Sequence, residues 1–323
     1  MNSYPDVIID FMEYLETIKG RSPNTIKEYG YDVNLLTKYL KARKDKIKIE
    51  SFEDLKNNID ISKVDSGFYE DVDLVDLHSF MSFLDRTQND SNITRARKTS
   101  SIKTFFKYLI NIRKLDIKNP AEELETPKKN SRQPVYLTLE ECEKLLDTIL
   151  EEESDFLRSR DYCIVTLFLN CGMRLSELSN IDIPHIKEDT LTVIGKGDKE
   201  RTIYLNEACL ASIADYLMYR PKIDSPALFV SKKKNRMSNR AIQYRIDHYL
   251  ELAGFDTSIY SVHKLRHTSA TLMYQYGGVD IKVLQEILGH ESVATTQIYT
   301  HINNKSLKKA VDSNPLNKIK KRT

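Results

Sequence analysis

The sequence predicts a mainly α-helical protein with a small β-hairpin, an α+β second domain following a purely helical first one. Three observations carry this reading. Only 10 glycines occur in 323 residues, about half the usual ~7% share, which disfavours barrels, propellers and glycine-lined nucleotide folds. Apolar residues recur at helical spacing along most of the chain and alternate at strand spacing around one turn, in residues 190–205. A proline-bearing stretch divides two helical blocks, and 323 residues are too many for one ordinary core. Charged residues at 30% and hydrophobic ones at 40% mark a chain that folds in water.

The elements follow in order. Val7, Phe11, Tyr14, Leu15 and Ile18 form one helical stripe. Ser22-Pro23 starts a second helix through Tyr29, Val33, Leu36 and Leu40, with proline suited to the first turn. Residues 44–70 are polar and acidic with scattered isoleucines, and read as an irregular or partly helical insertion. Helices resume at 72–86 and 93–113, the latter with Ile102, Phe105, Phe106 and Leu109 on its apolar stripe. Pro120, Pro127 and Pro134 then mark a linker, since proline removes backbone donors and biases its predecessor to extended forms. The boundaries are a first domain over 1–118, a linker over 119–136 and a second domain over 137–323. Thr138-Leu-Glu-Glu141 is a capping box opening the second domain, and Arg160 to Asn170 is an apolar helix. A hairpin occupies 190–205, and the chain after 238 is helical with breaks at Gly254, Gly277-Gly278 and Gly289.

No apolar run approaches the ~18 residues of a membrane span, and the N-terminus carries acids at once, unlike a signal peptide. A cytoplasmic protein is expected. Cys142, Cys163, Cys171 and Cys209 sit in no paired spacing and read as reduced, structural thiols, with no disulfide framework or zinc site implied. The net charge is only +2, but it is segregated. Residues 91–115 hold seven Lys or Arg and no acid, and residues 231–245 hold six and no acid. Cations concentrated on particular faces point to a polyanion. The candidate contacts are Arg95, Arg97, Lys98, Lys103 and Lys107 in the first domain, and Lys232, Lys233, Arg236, Arg240 and Arg245 in the second.

Four clusters in the second domain suit chemistry: Arg174 with Glu177, Lys196 between glycines at the hairpin tip, His263-x-x-Arg266-His267, and His290 with Tyr299. Each has a plainer reading: a helix-surface ion pair, an exposed turn lysine, a zinc-like HxxxH, a packing tyrosine. The zinc reading is weak, because Lys264 stands where a zincin has glutamate and Arg266 adds repulsion. A P-loop pattern is absent around Lys196. Together, however, two arginines, a lysine and histidines supply the field in which a phenol of ordinary pKa ~10 becomes a nucleophile.

In order and in sequence, Arg174, Lys196, His263-x-x-Arg266, His290 and Tyr299 resemble the tyrosine recombinase, or phage integrase, family. GMRLSEL, VIGKGDKER, HKLRHTSATLM and LQEILGHESVATTQIYTH look like its signature boxes, and RSPNTIKEYGYDVNLLTKYL like the opening of its core-binding, SAM-like domain. The resemblance implies an N-terminal helical core-binding domain and a C-terminal tyrosine recombinase catalytic domain. It implies DNA strand exchange without metal or other cofactor, through a 3′-phosphotyrosyl link to Tyr299. Arg174, Arg266 and His290 would bind the phosphate, Lys196 would serve as general acid and His263 as general base. Glu177 and His267 would support them. Tetramers on duplex DNA are implied, homomeric or with a second recombinase, with residues 302–311 as a docking helix. The two-domain layout resembles Xer-type recombinases, which resolve chromosome dimers under control of a DNA translocase. The alternatives are a short mobile-element integrase, a relaxing type IB topoisomerase-like enzyme and a DNA-binding factor without catalysis.

Overall fold

The computed structural model describes residues 4–88, 90–126, 135–194, 200–289 and Thr296. They fall into two compact units, Met1–Ser131 and Arg132–Thr323. In the first, helix α1 (Asp6–Thr17) turns Val7, Ile8, Phe11 and Leu15 inward. Ile18 of the expected stripe lies just past the helix end and is exposed. Helix α2 (Pro23–Lys44) begins with the Ser22 hydroxyl accepting from the Thr25 amide and with proline in its first turn, where the missing donor costs nothing.

Residues 44–70, expected as an irregular or partly helical insertion, are partly helical and are built into the core of the unit. Helix α3 (Phe52–Asn57) is closed by a reciprocal Ser51–Asp54 cap, a 3-10 turn follows at Ser66–Tyr69, and Leu55, Ile59, Ile61, Val64 and Tyr69 all enter the core. Apart from Tyr69, which follows Phe68, those apolar residues stand singly among polar and charged ones, so no sustained helical or strand period betrays their burial. The Tyr69 hydroxyl bonds Thr37 at 2.7 Å, and its ring meets Phe105 edge-on with centroids 5.0 Å apart. Helices α4 (Leu74–Gln88) and α5 (Asn92–Asn111) complete the bundle. The expected linker begins inside this unit, because Ala121 and Leu124 are buried in its core. Residues 127–134 lie outside the described residues.

α5 is tied to α2 through Asp32, which is 1% exposed. Its carboxylate accepts from Ser101 Oγ at 2.7 Å, from Lys98 Nζ at 3.3 Å and from Arg97. Burial raises the pKa of Asp32, opposed by Lys98, Ser101 and Arg97. Lys98 is itself 3% exposed. Truncating one member of a buried ion pair strands the other, at about 3–5 kcal/mol. Asp32→Ala should therefore destabilise the first unit by roughly that amount in urea unfolding, whereas Lys98→Met, which leaves Asp32 its other partners, should cost less.

The second unit opens with helix α6 (Leu139–Leu150), where Thr138 accepts from the Glu141 amide at 3.2 Å and Glu141 accepts from the Thr138 amide at 2.7 Å. Helix α7 (Asp155–Cys171) runs through the core, with Cys163, Ile164, Leu167 and Phe168 buried. The short helix α8 (Leu175–Ser179) and a 3-10 turn lead to an antiparallel sheet of β1 (Ile186–Lys187), β2 (Thr190–Ile194) and β3 (Glu200–Tyr204). β1 extends the expected hairpin by one short strand. Leu191 faces Ile203, and Val193 faces Arg201. Helix α9 (Glu207–Tyr219), absent from the elements expected above, packs on α7. Helices α10 (Asn239–Leu252), α11 (Val262–Gln275) and α12 (Ile281–Leu288) follow. All four cysteines are buried and free, and burial pushes the Cys142 and Cys163 thiols up to about 12.

Candidate active site

The site forms where the ends of α7 and α12 meet. The last carbonyls of a helix have no partner within it and carry the negative end of its dipole. At α12 three guanidiniums take them. Arg201 donates to the Ile287 carbonyl, Arg266 Nη2 to Leu288 at 2.5 Å, and Arg174 Nη2 to Gly289 at 2.7 Å. Arg266 Nη1 also donates to the Gly172 carbonyl at 2.6 Å, which ties α11 to the end of α7.

Three cations this close would repel one another without an anion among them, and Glu177 is that anion. Its carboxylate accepts from Arg174 Nη1 at 2.8 Å, the Arg174 amide at 2.7 Å, Arg201 Nη2 at 2.8 Å and Arg201 Nε at 3.3 Å, with Arg266 Nη1 4.0 Å away. Glu177 is 2% exposed. Burial by itself raises its pKa, but hydrogen bonds from Arg201 and the Arg174 amide, with the charges of Arg201 and Arg174, outweigh that and lower it. The carboxylate is thus ionised and clamps its arginines through charge-assisted bonds.

Two glycines permit this approach. Gly172 and Gly289 both have left-handed backbones, with φ of 57° and 61°. A Cβ on Gly172 would lie 2.9 Å from Leu288 Cδ2, and one on Gly289 would lie 3.0 Å from Arg201 Cδ. A side chain at either position would strain the backbone; at Gly172 it would also press on Leu288 of α12, and at Gly289 on the Arg201 side chain.

His263 is exposed in the first turn of α11, three residues before Arg266 and therefore on the same helix side. His267 is half-buried; burial, then Lys264, Arg266 and His263, lower its pKa to about 4. The structure thus gathers Arg174, Glu177 and Arg266, and sets His263 on the helix that carries Arg266. Lys196, His290 and Tyr299 lie outside the described residues, as does the 302–311 segment. Arg201 was not singled out from the sequence, although one signal was present. It shares a face of β3 with the buried Ile203, so a cation stands at an inward position.

The cations expected to meet DNA separate into two groups. Lys98 and Arg245 are corrected to internal ion-pair residues. Lys98 is buried on Asp32, and Arg245 donates to Asp161 at 2.7 Å and Glu152 at 2.8 Å. Arg97 pairs with Asp32 and Glu28, Arg95 with Asp85, and Arg236 with Asp182 and the Ser179 carbonyl. Lys103 donates to the Glu122 carbonyl at 3.3 Å. Lys107, Lys232, Lys233 and Arg240 are exposed and form no ion pair among the described residues. A groove of about 880 Å³ along α6 and α10 is lined by Glu140, Glu143, Asp147, Glu151 and Glu153, and so repels a polyanion. Among the described residues no helix is long and apolar enough to cross a membrane.

The phage integrase family profile matches residues 135–306, and the phage integrase N-terminal SAM-like domain matches residues 8–60. With the site described above, these matches place the chain in the phage integrase family, as a tyrosine site-specific recombinase of the Xer type. It is similar to the tyrosine recombinase XerC of Caldanaerobacter subterraneus subsp. tengcongensis, 51% identical over 316 residues that cover 97% of this chain and 88% of that protein. It is also similar to the tyrosine recombinase XerD of Proteus mirabilis, 32% identical over 314 residues covering 94% and 91%. The same fold appears in the XerH site-specific recombinase bound to difH substrate, with TM-score 0.68, 23% identity and coverage of 95% and 84%. It appears again in the Tn1549 transposon integrase in complex with transposon right end DNA, with TM-score 0.69, 17% identity and coverage of 95% and 98%.

The depressed His267 pKa makes a prediction about acid stability. An imidazole held neutral in the fold binds its proton only near pH 4, whereas in the unfolded chain it does so near the ordinary ~6.5. Between those values the unfolded state holds more protons, so stability falls as pH drops from about 6.5 to 4. His267→Gln should flatten that part of the melting-temperature profile and leave the alkaline side unchanged.

Proposed function

We propose that this chain breaks and rejoins DNA through Tyr299, and that it resolves chromosome dimers at a recombination site as a Xer-type recombinase. The observation that carries the chemistry is the convergence of Arg174 and Arg266 beside the buried Glu177 carboxylate. Two forks of donors fixed before substrate arrives suit the charge that develops on a pentacoordinate phosphate. They need no reorganisation at the moment of reaction.

In this reading the Tyr299 oxygen attacks the scissile phosphorus as the bond to the 5′-oxygen breaks. His263 takes the phenolic proton, Lys196 gives one to the leaving oxygen, and His290 adds a hydrogen bond to the phosphate. Phosphodiester energy is kept in the 3′-phosphotyrosyl link, so a 5′-hydroxyl from another strand reverses the step. No metal or other cofactor has a role in this sequence. The identity to XerC proteins along nearly the whole chain supports the chromosomal role. The λ integrase seen as a tetramer on a Holliday junction has the same fold, which supports assembly of four subunits on DNA. A partner recombinase and a DNA translocase, and action in the cytoplasm, belong to the same reading.

Lys107, Lys232, Lys233 and Arg240 are the cations left for phosphate contacts, and those contacts dominate affinity without reading sequence. Nicked duplexes carrying candidate sites should yield a denaturation-resistant adduct with the wild type and none with Tyr299→Phe, while binding persists. Binding across several sites without any wild-type adduct would favour a non-catalytic factor. Replacing Lys232, Lys233 or Arg240 by alanine should each reduce the slope of log affinity against log salt by about one, with site preference unchanged.

A further inference from the structure

Residues 229–237 fold into a tight hairpin turn ahead of α10. Val230 and Arg236 are bridged in the antiparallel sense, and the Met237 amide donates to the Phe229 carbonyl at 3.0 Å. The Ser231 amide donates to the Asn235 carbonyl, and the Lys234 amide to the Ser231 carbonyl, each at 2.8 Å. Lys232, Lys233 and Lys234 therefore make the bend, and Lys234 completes it with a left-handed backbone at φ 62°. A three-residue hairpin loop calls for such a residue at its end, where glycine or asparagine fits without strain. Here the residue is a lysine, and it is absent from the DNA contacts expected from the sequence.

The base of the turn is firmly held. Arg236 donates to the carbonyls of Ser179 at 3.1 Å and Ile181 at 3.4 Å, and pairs with Asp182. The Val230 amide donates to the Tyr216 hydroxyl at 3.3 Å, and the Val230 carbonyl accepts from Arg160 Nη1 at 3.1 Å. Ser179 ends α8, the five-residue helix that Arg174 opens. The turn and Arg174 are thus fixed to opposite ends of one element roughly 7.5 Å long.

For the free protein, lysine at 234 is unfavourable twice over. Its backbone is strained, and its charge adds to those of Lys232 and Lys233. All three are exposed, and none forms an ion pair among the described residues. The other non-glycine residues with left-handed backbones are better placed. Lys46 and Lys114 follow the last turns of α2 and α5, where helix carbonyls favour a cation, and Glu188 in the β1–β2 turn follows Lys187.

We infer that Lys234 is a DNA-phosphate contact, kept at a strained position because the turn presents its cation, with Lys232 and Lys233, in fixed register with Arg174. The inference rests on the DNA-breaking reading above. Strained residues persist where surrounding structure holds them and a ligand uses them. A backbone phosphate against this turn offsets the repulsion among the lysines, and a turn already rigid loses little freedom on binding. Stability and binding therefore pull in opposite directions at this one residue.

The experiment uses the full-length protein and a fluorescent duplex of arbitrary sequence, since phosphate contacts do not read bases. It measures affinity across a salt series, and the melting temperature of the free protein, for wild type, Lys234→Asn and Lys234→Arg. Lys234→Asn should bind several-fold more weakly, lower the slope of log affinity against log salt by about one, and yet melt about 2 °C higher. Lys234→Arg keeps the charge and the strain, so its slope and melting temperature should match wild type. An unchanged slope in Lys234→Asn would overturn the inference, as would a slope lowered equally by Lys234→Arg. A lower melting temperature in Lys234→Asn would also overturn it, making Lys234 a structural part of the turn. Wild-type binding without salt dependence, or no binding, would overturn the DNA-binding reading itself and this inference with it.

Discussion

The catalytic unit depends on one buried carboxylate. Glu177 sits among Arg174, Arg201 and Arg266, whose guanidiniums also cap the carbonyls at the end of α12. Each participant is unfavourable alone: an anion removed from water, clustered cations, helix carbonyls without partners. Together they satisfy one another. Arg174 reaches from the start of α8, Arg201 from β3 and Arg266 from α11, so the cluster joins two early elements of the unit to the helices α11 and α12 some 60 or more residues later. The Arg174 side chain remains about one-third exposed, against 14% for Arg201 and 11% for Arg266, so Arg174 keeps most access to solvent.

The protein uses many of its cations internally. Asp32 binds the basic face of α5 to α2, Asp161 and Glu152 bind Arg245, and Asp182 binds Arg236. This explains how a chain of net charge +2 can carry acid-free basic stretches without each of their cations being available to a ligand. Acids from other elements neutralise the inward-facing part of each stretch. The remainder stays in solvent, where counterions screen it and a phosphate backbone can displace them.

Much of this was legible in the sequence, for identifiable reasons. Ser22-Pro23, Thr138 with Glu141, and Gly289 are local signals whose meaning does not depend on tertiary context, and each marks the end of an observed helix. Arg174 and Arg266 stand out in the sequence because motif order makes them specific, and the structure brings both beside Glu177. What failed was long-range. The core residues of 44–70 have no period, Lys98 looks like any other lysine until Asp32 is placed beside it, and α9 lies where no functional motif drew attention. Arg201 was overlooked because its meaning comes from Glu177 and the α12 carbonyls, 24 and 86 residues distant in the chain.

Glu177, in this reading, acts by presenting Arg174, so that the two behave as a unit. A double-mutant cycle on the rate of covalent adduct formation tests this most directly, using Glu177→Gln, Arg174→Lys and the combination. Strong non-additivity is expected, with the double variant scarcely slower than the worse single one and a coupling of about 1–3 kcal/mol. Rate losses that simply multiply would contradict it, and would mean that Glu177 and Arg174 serve the reaction independently.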